Sequence, residues 1–398
     1  MTKIFFVDRY IGYSTKLFES MLNITSKKKD FDILFLGPDA KKSILFSNQV
    51  SFNPKKVWSN NHYVRKLLKY ISNNKPDLVH FTFELRTFGS PWASFKFPLL
   101  LLLLRLKKQK IIINLFNIWF YREKNKWKIP SYFPSKLPKP ILTVLIKIFF
   151  LIICKLCDKI IVGTNQGKIC LVDYYNLDED KINVISFGVS SLSDHLNLNA
   201  QKKFQKQFEN KKIILYFGVI SPRKNHQNAI KAFNEIAKKL PNHILVIAGT
   251  STKEFKNYEE NLHKLVEDLH LQKQVFFTGF IDNDEVDILF EMAESVLFLY
   301  SPMSDSTYAI TMSIQHKNPI IVSDIEIFRE MFSNDTAFFV DFKDLLQLSA
   351  AFLKISTDSE TREVLISNIT KLSRKMTWNN CAENYIKIYN SLLSKNNF

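Results

Sequence analysis

The chain has 398 residues, of which 46% are hydrophobic, 9 are Gly and 13 are Pro. This length exceeds one usual hydrophobic core and predicts two domains, while the composition excludes long flexible tracts. The net charge of +17 is confined to one half, because residues 1–190 hold 31 Lys and Arg against 13 Asp and Glu, whereas the remaining residues hold 24 against 25.

From the N-terminus, the first half alternates short apolar segments with longer helical ones. Segments that are apolar throughout and separated by helices predict a parallel sheet covered on both faces. The predicted strands are Lys3–Asp8, Asp32–Gly37, Asp77–Phe81, Lys110–Phe116, Asp158–Thr164 and Ile182–Val189. No signal peptide precedes the first of them, which predicts a cytoplasmic protein.

Two long apolar runs in this basic half, Phe97–Leu106 and Ile141–Cys157, are interleaved with cations. Such a pairing favours an anionic membrane surface over a nucleic-acid groove as the partner. The second run is just short of a spanning helix and carries Lys147 and Lys155, so it is not predicted to cross a membrane. Two buried helices of an α/β domain with solvated lysines remain the alternative.

The four cysteines are too few for a disulfide framework. Cys154 and Cys157 form a C-x-x-C pattern inside an apolar helix, without a second pair and without a nearby His. This placement predicts a buried structural role for the two thiols, and no metal site is predicted.

A polar stretch, residues 191–212, is predicted to be a linker, after which the alternation restarts. The predicted strands are Ile213–Phe217, His243–Gly249, Val275–Ile281, Ser295–Ser301, Pro319–Asp324 and Thr336–Asp341. The sequence therefore predicts an α/β chain of two doubly wound, Rossmann-like domains, residues 1–190 and 213–375, followed by a crossing helix at 376–398. Ligands bind at the carboxyl ends of the strands in such sheets, so we expect a central cleft between the two domains.

Residues 217–225 read F-G-V-I-S-P-R-K-N and join a strand to a helix. The strand ends at Gly218, and a short loop delivers Arg223 and Lys224 to the start of an amphipathic helix. A helix N-terminus carries unsatisfied N–H groups and positive dipole, so two adjacent cations make it a candidate diphosphate cradle. A basic surface turn is the alternative that these residues alone leave open.

Beyond this motif, nearly the whole chain resembles the GT-B glycosyltransferases, specifically the retaining family 4. No single segment decides the resemblance, but the ordered set is specific. The matching segments are Lys75–Ser90, Asp158–Thr164, Phe217–Asn225, Ile247–Gly249, Val275–Ile281, Pro319–Asp324 and Thr377–Leu393.

The resemblance implies transfer of a sugar from a UDP- or GDP-sugar, held by the C-terminal domain, to an acceptor held by the N-terminal domain. Lys224 and Arg223 would neutralise the charge that develops on the β-phosphate, with no metal and no bound cofactor. The resemblance also implies donor contacts at Gly218, Ser221, Gly249, Gly279, Phe280, Ile281 and Ser301.

The chain departs from the family at two glutamates that usually lie eight positions apart, because it has Ser304 and Met312 there. Asp305 is adjacent to the first position and is the catalytic-side candidate for contacting the sugar. Ser304, Ser306 and Thr307 are candidates for meeting the donor phosphates at the start of the helix. Helix capping alone is the alternative role for these small polar residues.

On the acceptor side, the family's histidine is replaced by Phe116, which cannot relay a proton, while Asn117 beside it can hydrogen-bond a hydroxyl. Glu84 and Arg86, beyond the third predicted strand, are further acceptor-side candidates. Gly12 occupies the place of a glycine-rich acceptor loop. A solvated ion pair between Glu84 and Arg86 is the alternative.

The sequence thus predicts a glycosyltransferase on the inner face of the cytoplasmic membrane, acting on a lipid-linked or surface polysaccharide such as lipopolysaccharide, capsule or exopolysaccharide. The alternative is a catalytically inactive, glycosyltransferase-like binding or scaffolding subunit, since loss of both glutamates and the histidine fits drift after loss of function. Nucleic acid is not predicted as a partner, because no recognition module is visible.

Overall fold

The structure is a computed structural model that describes residues 2–8, 13–28, 31–38, 49–52, 63–84, 87, 91–115, 121–123, 126–128, 138–190, 198–302 and 308–394. These residues fall into two compact units. The first comprises the described residues up to 188 together with 377–394, and the second comprises 189–302 and 308–376.

The first unit is built on a seven-stranded sheet in which all neighbouring strands are parallel. Its described strands are β1 Thr2–Val7, β2 Phe31–Pro38, β3 Gln49–Phe52, β4 Leu78–Phe83, β5 Lys110–Leu115, β6 Tyr121–Glu123, β7 Lys126–Lys128, β8 Lys159–Val162 and β9 Ile182–Val184. The sheet order is β3-β2-β1-β4-β5-β8-β9, and β6 and β7 form a separate antiparallel pair. Helices lie between the strands, at α1 Tyr13–Lys28, α2 Tyr63–Asn74, α3 Pro91–Ser94, α4 Phe97–Leu106, α5 Lys139–Leu156 and α6 Asn165–Ile169.

The second unit repeats this plan with six parallel strands. They are β10 Lys212–Phe217, β11 His243–Ala248, β12 Val275–Gly279, β13 Ala293–Phe298, β14 Ile320–Ser323 and β15 Phe338–Val340, in the sheet order β12-β11-β10-β13-β14-β15. The α-helices of this unit are α7 Leu198–Gln207, α8 His226–Ala237, α9 Lys256–Asp268, α10 Asn283–Met292, α11 Tyr308–His316, α12 Glu326–Met331, α13 Leu345–Thr357 and α14 Ser359–Lys375.

In both sheets the first strand of the unit lies between its second and its fourth strand. The chain therefore reverses its direction of progress across the sheet between β1 and β4, and again between β10 and β13. Such a reversal is the place where ligands bind in open α/β sheets, at the carboxyl ends of the strands. The predicted α/β class with two doubly wound, Rossmann-like domains is confirmed.

The last helix, α15 Trp378–Ser394, groups with the first unit and packs on its sheet through aromatic residues. The Asn114 side-chain amide donates to the Tyr385 hydroxyl at 2.7 Å, and His80 Nδ1 lies 2.7 Å from the Tyr389 hydroxyl. Burial lowers the pKa of His80 to about 3, so its ring is neutral at physiological pH. His80 is therefore a core side chain of the first unit, bound to the last helix.

Several elements differ from the expectations raised by the sequence. The predicted strand Ile182–Val189 ends at Val184, and at Gly188, four residues later, a Cβ would lie 2.5 Å from the Trp378 ring. The strands β3, β6 and β7 carried no apolar signal of their own, since each has only three or four residues. Helix α7 lies within the stretch predicted to be a linker.

Candidate active site

The candidate site begins where β10 ends at Gly218, whose φ of 113° is a conformation that favours glycine. The side chain of Lys224 folds back to this point, and its Nζ donates to the Phe217 carbonyl at 3.3 Å. A Cβ on Gly218 would lie 2.3 Å from Lys224 Nζ. The ammonium group therefore lies directly against the backbone at the end of the strand, and any larger residue at Gly218 would displace it.

The two predicted cations lie on a single 3₁₀ turn, Pro222–Lys224, that leads into α8. Asn225 follows in the left-handed conformation, with φ 55° and ψ 37°, which Asn tolerates better than most residues. The guanidinium carbon of Arg223 and Nζ of Lys224 lie 5.1 and 5.2 Å from the centroid of the Tyr300 ring. Both cations can therefore make a cation–π interaction with the same aromatic ring, which directly follows β13.

Hydrogen bonds join this turn to the segment that follows β13, across the reversal between β10 and β13. The Ser301 N–H donates to the Arg223 carbonyl at 2.8 Å, and the Asn225 side chain donates to the Leu299 carbonyl at 2.7 Å. The Tyr216 hydroxyl donates to the Lys224 carbonyl and accepts from the Leu299 N–H. The backbone that carries the two cations is therefore held in place before any ligand arrives.

The electrostatics of the site follow from burial. Lys224 is only 5% exposed, and burial, together with the neighbouring charge of Arg223, lowers its pKa to about 7. His226, buried at the start of α8 and stacked on the Tyr216 ring at 4.4 Å, has its pKa lowered to about 3 by burial and by Lys224. The His226 ring is therefore neutral, and Lys224 changes its charge near neutral pH. A phosphate group at this place would favour the charged form of the lysine.

The loops after β10, β11 and β12 contact one another through their glycines. The Gly218 N–H donates to the Ala248 carbonyl at 2.8 Å, and the Gly249 N–H donates to the Gly279 carbonyl at 3.0 Å. A Cβ on Gly249 would lie 2.3 Å from the Gly218 oxygen, so this close approach requires a glycine. Backbone groups of three adjacent strands are consequently brought to one edge of the sheet.

The remaining donor-side candidates at this edge differ in exposure. Ser221 and Ile281 are buried, Ser301 is half-buried, and Phe280 is 78% exposed. An aromatic ring that stays in solvent beside this edge is available for stacking on a planar group. Met312, at the position where the family usually has its second glutamate, lies in the hydrophobic core of the unit.

Part of the predicted site lies outside the described residues. This applies to the donor-side candidates Ser304, Asp305, Ser306 and Thr307, and to the acceptor-side candidates Gly12, Arg86 and Asn117. Glu84 is described: it follows β4, is half-buried, and its N–H donates to the Thr87 hydroxyl at 2.8 Å in a tight turn. It thus lies at the carboxyl end of a strand that borders the reversal of the first sheet.

Three residues of the arrangement were not singled out from the sequence. Tyr216 and Tyr300 lie within apolar segments that predict core residues. In the structure, the Tyr216 hydroxyl and the Tyr300 ring nevertheless contact the turn that carries the two cations. Asn225 carried a usable signal, because an Asn directly before a helix is a preferred N-terminal residue. No sequence signal indicated that its side chain contacts Leu299, which is 74 positions away.

Part of the chain matches a known protein family. Residues 199–372, which cover most of the second unit, match the family model described as Glycosyl transferases group 1. The predicted resemblance to the glycosyltransferases is confirmed. Among curated proteins, the O-antigen chain mannosyltransferase RfbU of Salmonella typhimurium is 26% identical over 211 residues, which are 52% of this chain and 52% of that protein. The match thus spans about half the length of this glycosyltransferase relative.

Solved structures share the fold over nearly the full length of this chain. Anabaena Alr3699/HepE, in complex with UDP and glucose, has a TM-score of 0.71 at 13% identity over 98% of this chain and 100% of that one. WaaG, a glycosyltransferase involved in lipopolysaccharide biosynthesis, has a TM-score of 0.64 at 12% identity over 97% and 99%. At these identities the likeness concerns the fold, which is the GT-B architecture predicted from the sequence.

Proposed function

We propose that this protein is a GT-B glycosyltransferase that moves a hexosyl group from a UDP- or GDP-sugar to a lipid-linked or surface polysaccharide acceptor. The group 1 match over residues 199–372 and the mannosyltransferase relative support the reaction class and the acceptor class. The observation that carries the proposal is the preorganised pair of cations, the half-buried Arg223 and the buried Lys224, at the reversal of the second sheet.

The chemistry asked of this pair is charge neutralisation. An acceptor hydroxyl oxygen forms a bond to the anomeric carbon while the bond from that carbon to the β-phosphate oxygen breaks, and the hydroxyl proton passes to the departing phosphate. The nucleoside diphosphate leaves with the electron pair, so negative charge grows on its terminal phosphate. A fixed cation at this place stabilises the transition state more than the ground state.

The remaining assignments follow the family resemblance. The edge formed by Gly218, Gly249 and Gly279 would contact the nucleotide through its backbone, and Phe280 would lie beside the base. Asp305 would contact the sugar, and Ser304, Ser306 and Thr307 would contact the phosphates. The first unit would bind the acceptor with Gly12, Glu84, Arg86 and Asn117, and retention of anomeric configuration is proposed with them.

The test is a screen of nucleotide sugars for hydrolysis and transfer, with and without a polyprenyl-linked acceptor. We expect turnover with one UDP- or GDP-sugar, and a marked increase when the acceptor is present. We would begin that screen with GDP-mannose and UDP-glucose, because one relative is a mannosyltransferase and one neighbour was solved with UDP and glucose. Absence of turnover with every donor and acceptor would contradict the proposal.

A binding or scaffolding subunit without catalysis is the second candidate, and the buried Met312 at the usual glutamate position favours it. Thermal unfolding with UDP, GDP and ADP separates the two candidates. Stabilisation by one nucleotide supports a donor site, since a ligand of the native state raises its stability by mass action. Stabilisation by none of them, together with no turnover, supports the scaffold.

A further inference from the structure

The helices α4 and α5 of the first unit each carry two apolar stripes on opposite sides. Their inner stripes pack on the sheet, as the ring of Phe97 does on Phe83 at 4.6 Å between centroids. Phe95, in the turn before α4, contacts Phe149 of α5 at 5.1 Å, and Arg105 Nη1 lies 2.5 Å from Asp158 Oδ1. Contacts near both ends of α4 therefore place the two helices side by side.

The outer stripes of the same helices are apolar too. On α5, Ile141, Val144, Leu145, Ile148 and Ile152 follow the i, i+3, i+4, i+7, i+11 spacing of one helix face and lie opposite its core residues. On α4 and the turn before it, the outward residues are Phe95, Leu99, Leu102 and Leu106. We call these nine side chains the α4–α5 face.

The exposure of this face is concentrated. Its side chains are 43% to 72% exposed, and they make up nine of the sixteen exposed large apolar side chains among the described residues. Isolated exposed apolar residues are ordinary on protein surfaces, but a contiguous group of this kind marks an interaction site.

The charged residues within the two helices themselves have one sign, and the nearby Asp158, which follows α5, is paired with Arg105. Neither α4 nor α5 contains an Asp or a Glu. Exposed lysines lie at the start of α4, at Lys96, and at the neighbouring ends of the two helices, at Lys107, Lys108 and Lys155. Lys147 instead turns to the Tyr174 ring, 4.1 Å from its centroid, which leaves the middle of the α5 stripe apolar.

We propose that the α4–α5 face docks the chain on the surface of an anionic lipid bilayer. An apolar stripe in the interface with lysines at headgroup level fits a bilayer, whose acyl boundary and anionic headgroups are complementary to both features. The helices lie in the plane of the interface, because their inner stripes are occupied by the sheet. Within the part of the chain that the structure describes, no helix is both long and apolar enough to cross a membrane.

The experiment is flotation of the full chain with vesicles of phosphatidylcholine alone and of phosphatidylcholine mixed with phosphatidylglycerol. We expect binding to the mixed vesicles, weakened by added salt. The double variant Val144→Asp with Ile148→Asp removes two outward apolar side chains and adds two carboxylates, so vesicle partitioning should fall more than about tenfold. Both residues lie away from the core, and unfolding curves verify that the variant folds.

A matched variant makes this result specific. Leu346→Asp with Val364→Asp changes two exposed apolar residues of the second unit in the same way and should leave vesicle binding unchanged. For the charge component, Lys107→Gln with Lys108→Gln should weaken binding about fivefold for each charge, and only on the mixed vesicles. Lys238→Gln with Lys239→Gln, also exposed, is its control.

The outcomes separate docking from the other occupants of such a face. The proposal is overturned if the wild-type chain does not float with the mixed vesicles, or if the Val144 and Ile148 variant floats as well as the wild type. It is also overturned if the wild type is a dimer without affinity for vesicles and the variant is a monomer, since the face would then join two copies. Flotation does not depend on sugar transfer, so its failure leaves the proposed function standing.

Discussion

The two sheets of this protein share one strand order, yet they carry different chemistry where the order reverses. In the second unit, the reversal between β10 and β13 holds Lys224 and Arg223 against Tyr300, in a half with almost no net charge. In the first unit, the strands β4 and β5 beside the reversal carry His80 and Asn114, which bind the tyrosines of α15. Among the described residues, the excess positive charge of this half includes the exposed lysines at the ends of α4 and α5.

This difference indicates that the fold determines where a ligand can bind, while the side chains of loops and outward faces determine which kind of ligand binds there. A cation buried at the end of a strand suits a ligand that is itself desolvated, such as a diphosphate. Exposed cations beside an apolar stripe suit an extended surface. The predictions below test this contrast, beginning with the largest expected effect.

Replacing Lys224 with Ala should lower the turnover of the nucleotide-sugar donor by about 10² to 10³, because it removes a preorganised charge from the breaking bond. The measurement is initial rate with the donor found in the screen. Lys239→Ala, an exposed lysine of the same unit, is the matched control and should keep wild-type turnover. Equal rates for the Lys224 variant and the wild type would remove the phosphate assignment.

Replacing Gly218 with Ala should reduce both stability and turnover, since the new Cβ meets Lys224 Nζ at 2.3 Å and the backbone keeps a φ of 113°. Strain of this kind costs about 1–3 kcal/mol, measured by urea unfolding. The Lys224→Ala background supplies the matched control, because it removes the side chain that the new Cβ meets. If Gly218→Ala lowers turnover by the same factor in that background as in the wild type, contact with Lys224 is not the cause.

Donor affinity should fall as pH rises above about 7, approaching tenfold per pH unit. The sign follows from burial, which lowers the pKa of Lys224: the free site is cationic below that pKa and neutral above it, and a diphosphate needs the cation. Calorimetric titration with UDP and GDP across this range measures the slope. Lys224→Arg should flatten it, because a guanidinium stays charged throughout. A flat wild-type profile would contradict this account.

Replacing Tyr389 with Phe should cost about 1–3 kcal/mol in the free energy of unfolding, because the buried His80 loses its described hydroxyl partner. Nucleotide affinity should not change, since this contact lies in the first unit. Tyr385→Phe, which removes the partner of Asn114, serves as a parallel case with the same expectation. An altered nucleotide affinity in either variant would break the assignment of separate roles to the two units.

Local sequence determined the elements of this fold because their signals are local. Continuous apolar segments such as Lys212–Phe217 are typical of strands buried on both faces, and their alternation with amphipathic helices fixes the doubly wound class. The strand–loop–helix around Gly218 and Lys224 was likewise predictable, since a glycine ends an apolar strand and an amphipathic helix follows the loop.

Tertiary structure decided what these residues contact. The burial of Lys224, which brings its pKa near neutrality, depends on Tyr300, and the turn is fixed by Asn225 reaching Leu299. The segment Lys139–Leu156 has apolar residues around most of the helix circumference. Only its packing in the fold determines which of them are buried in the core and which are exposed. These outcomes depend on partners tens to hundreds of residues apart, and a pattern within one segment does not encode which distant segment will pack against it.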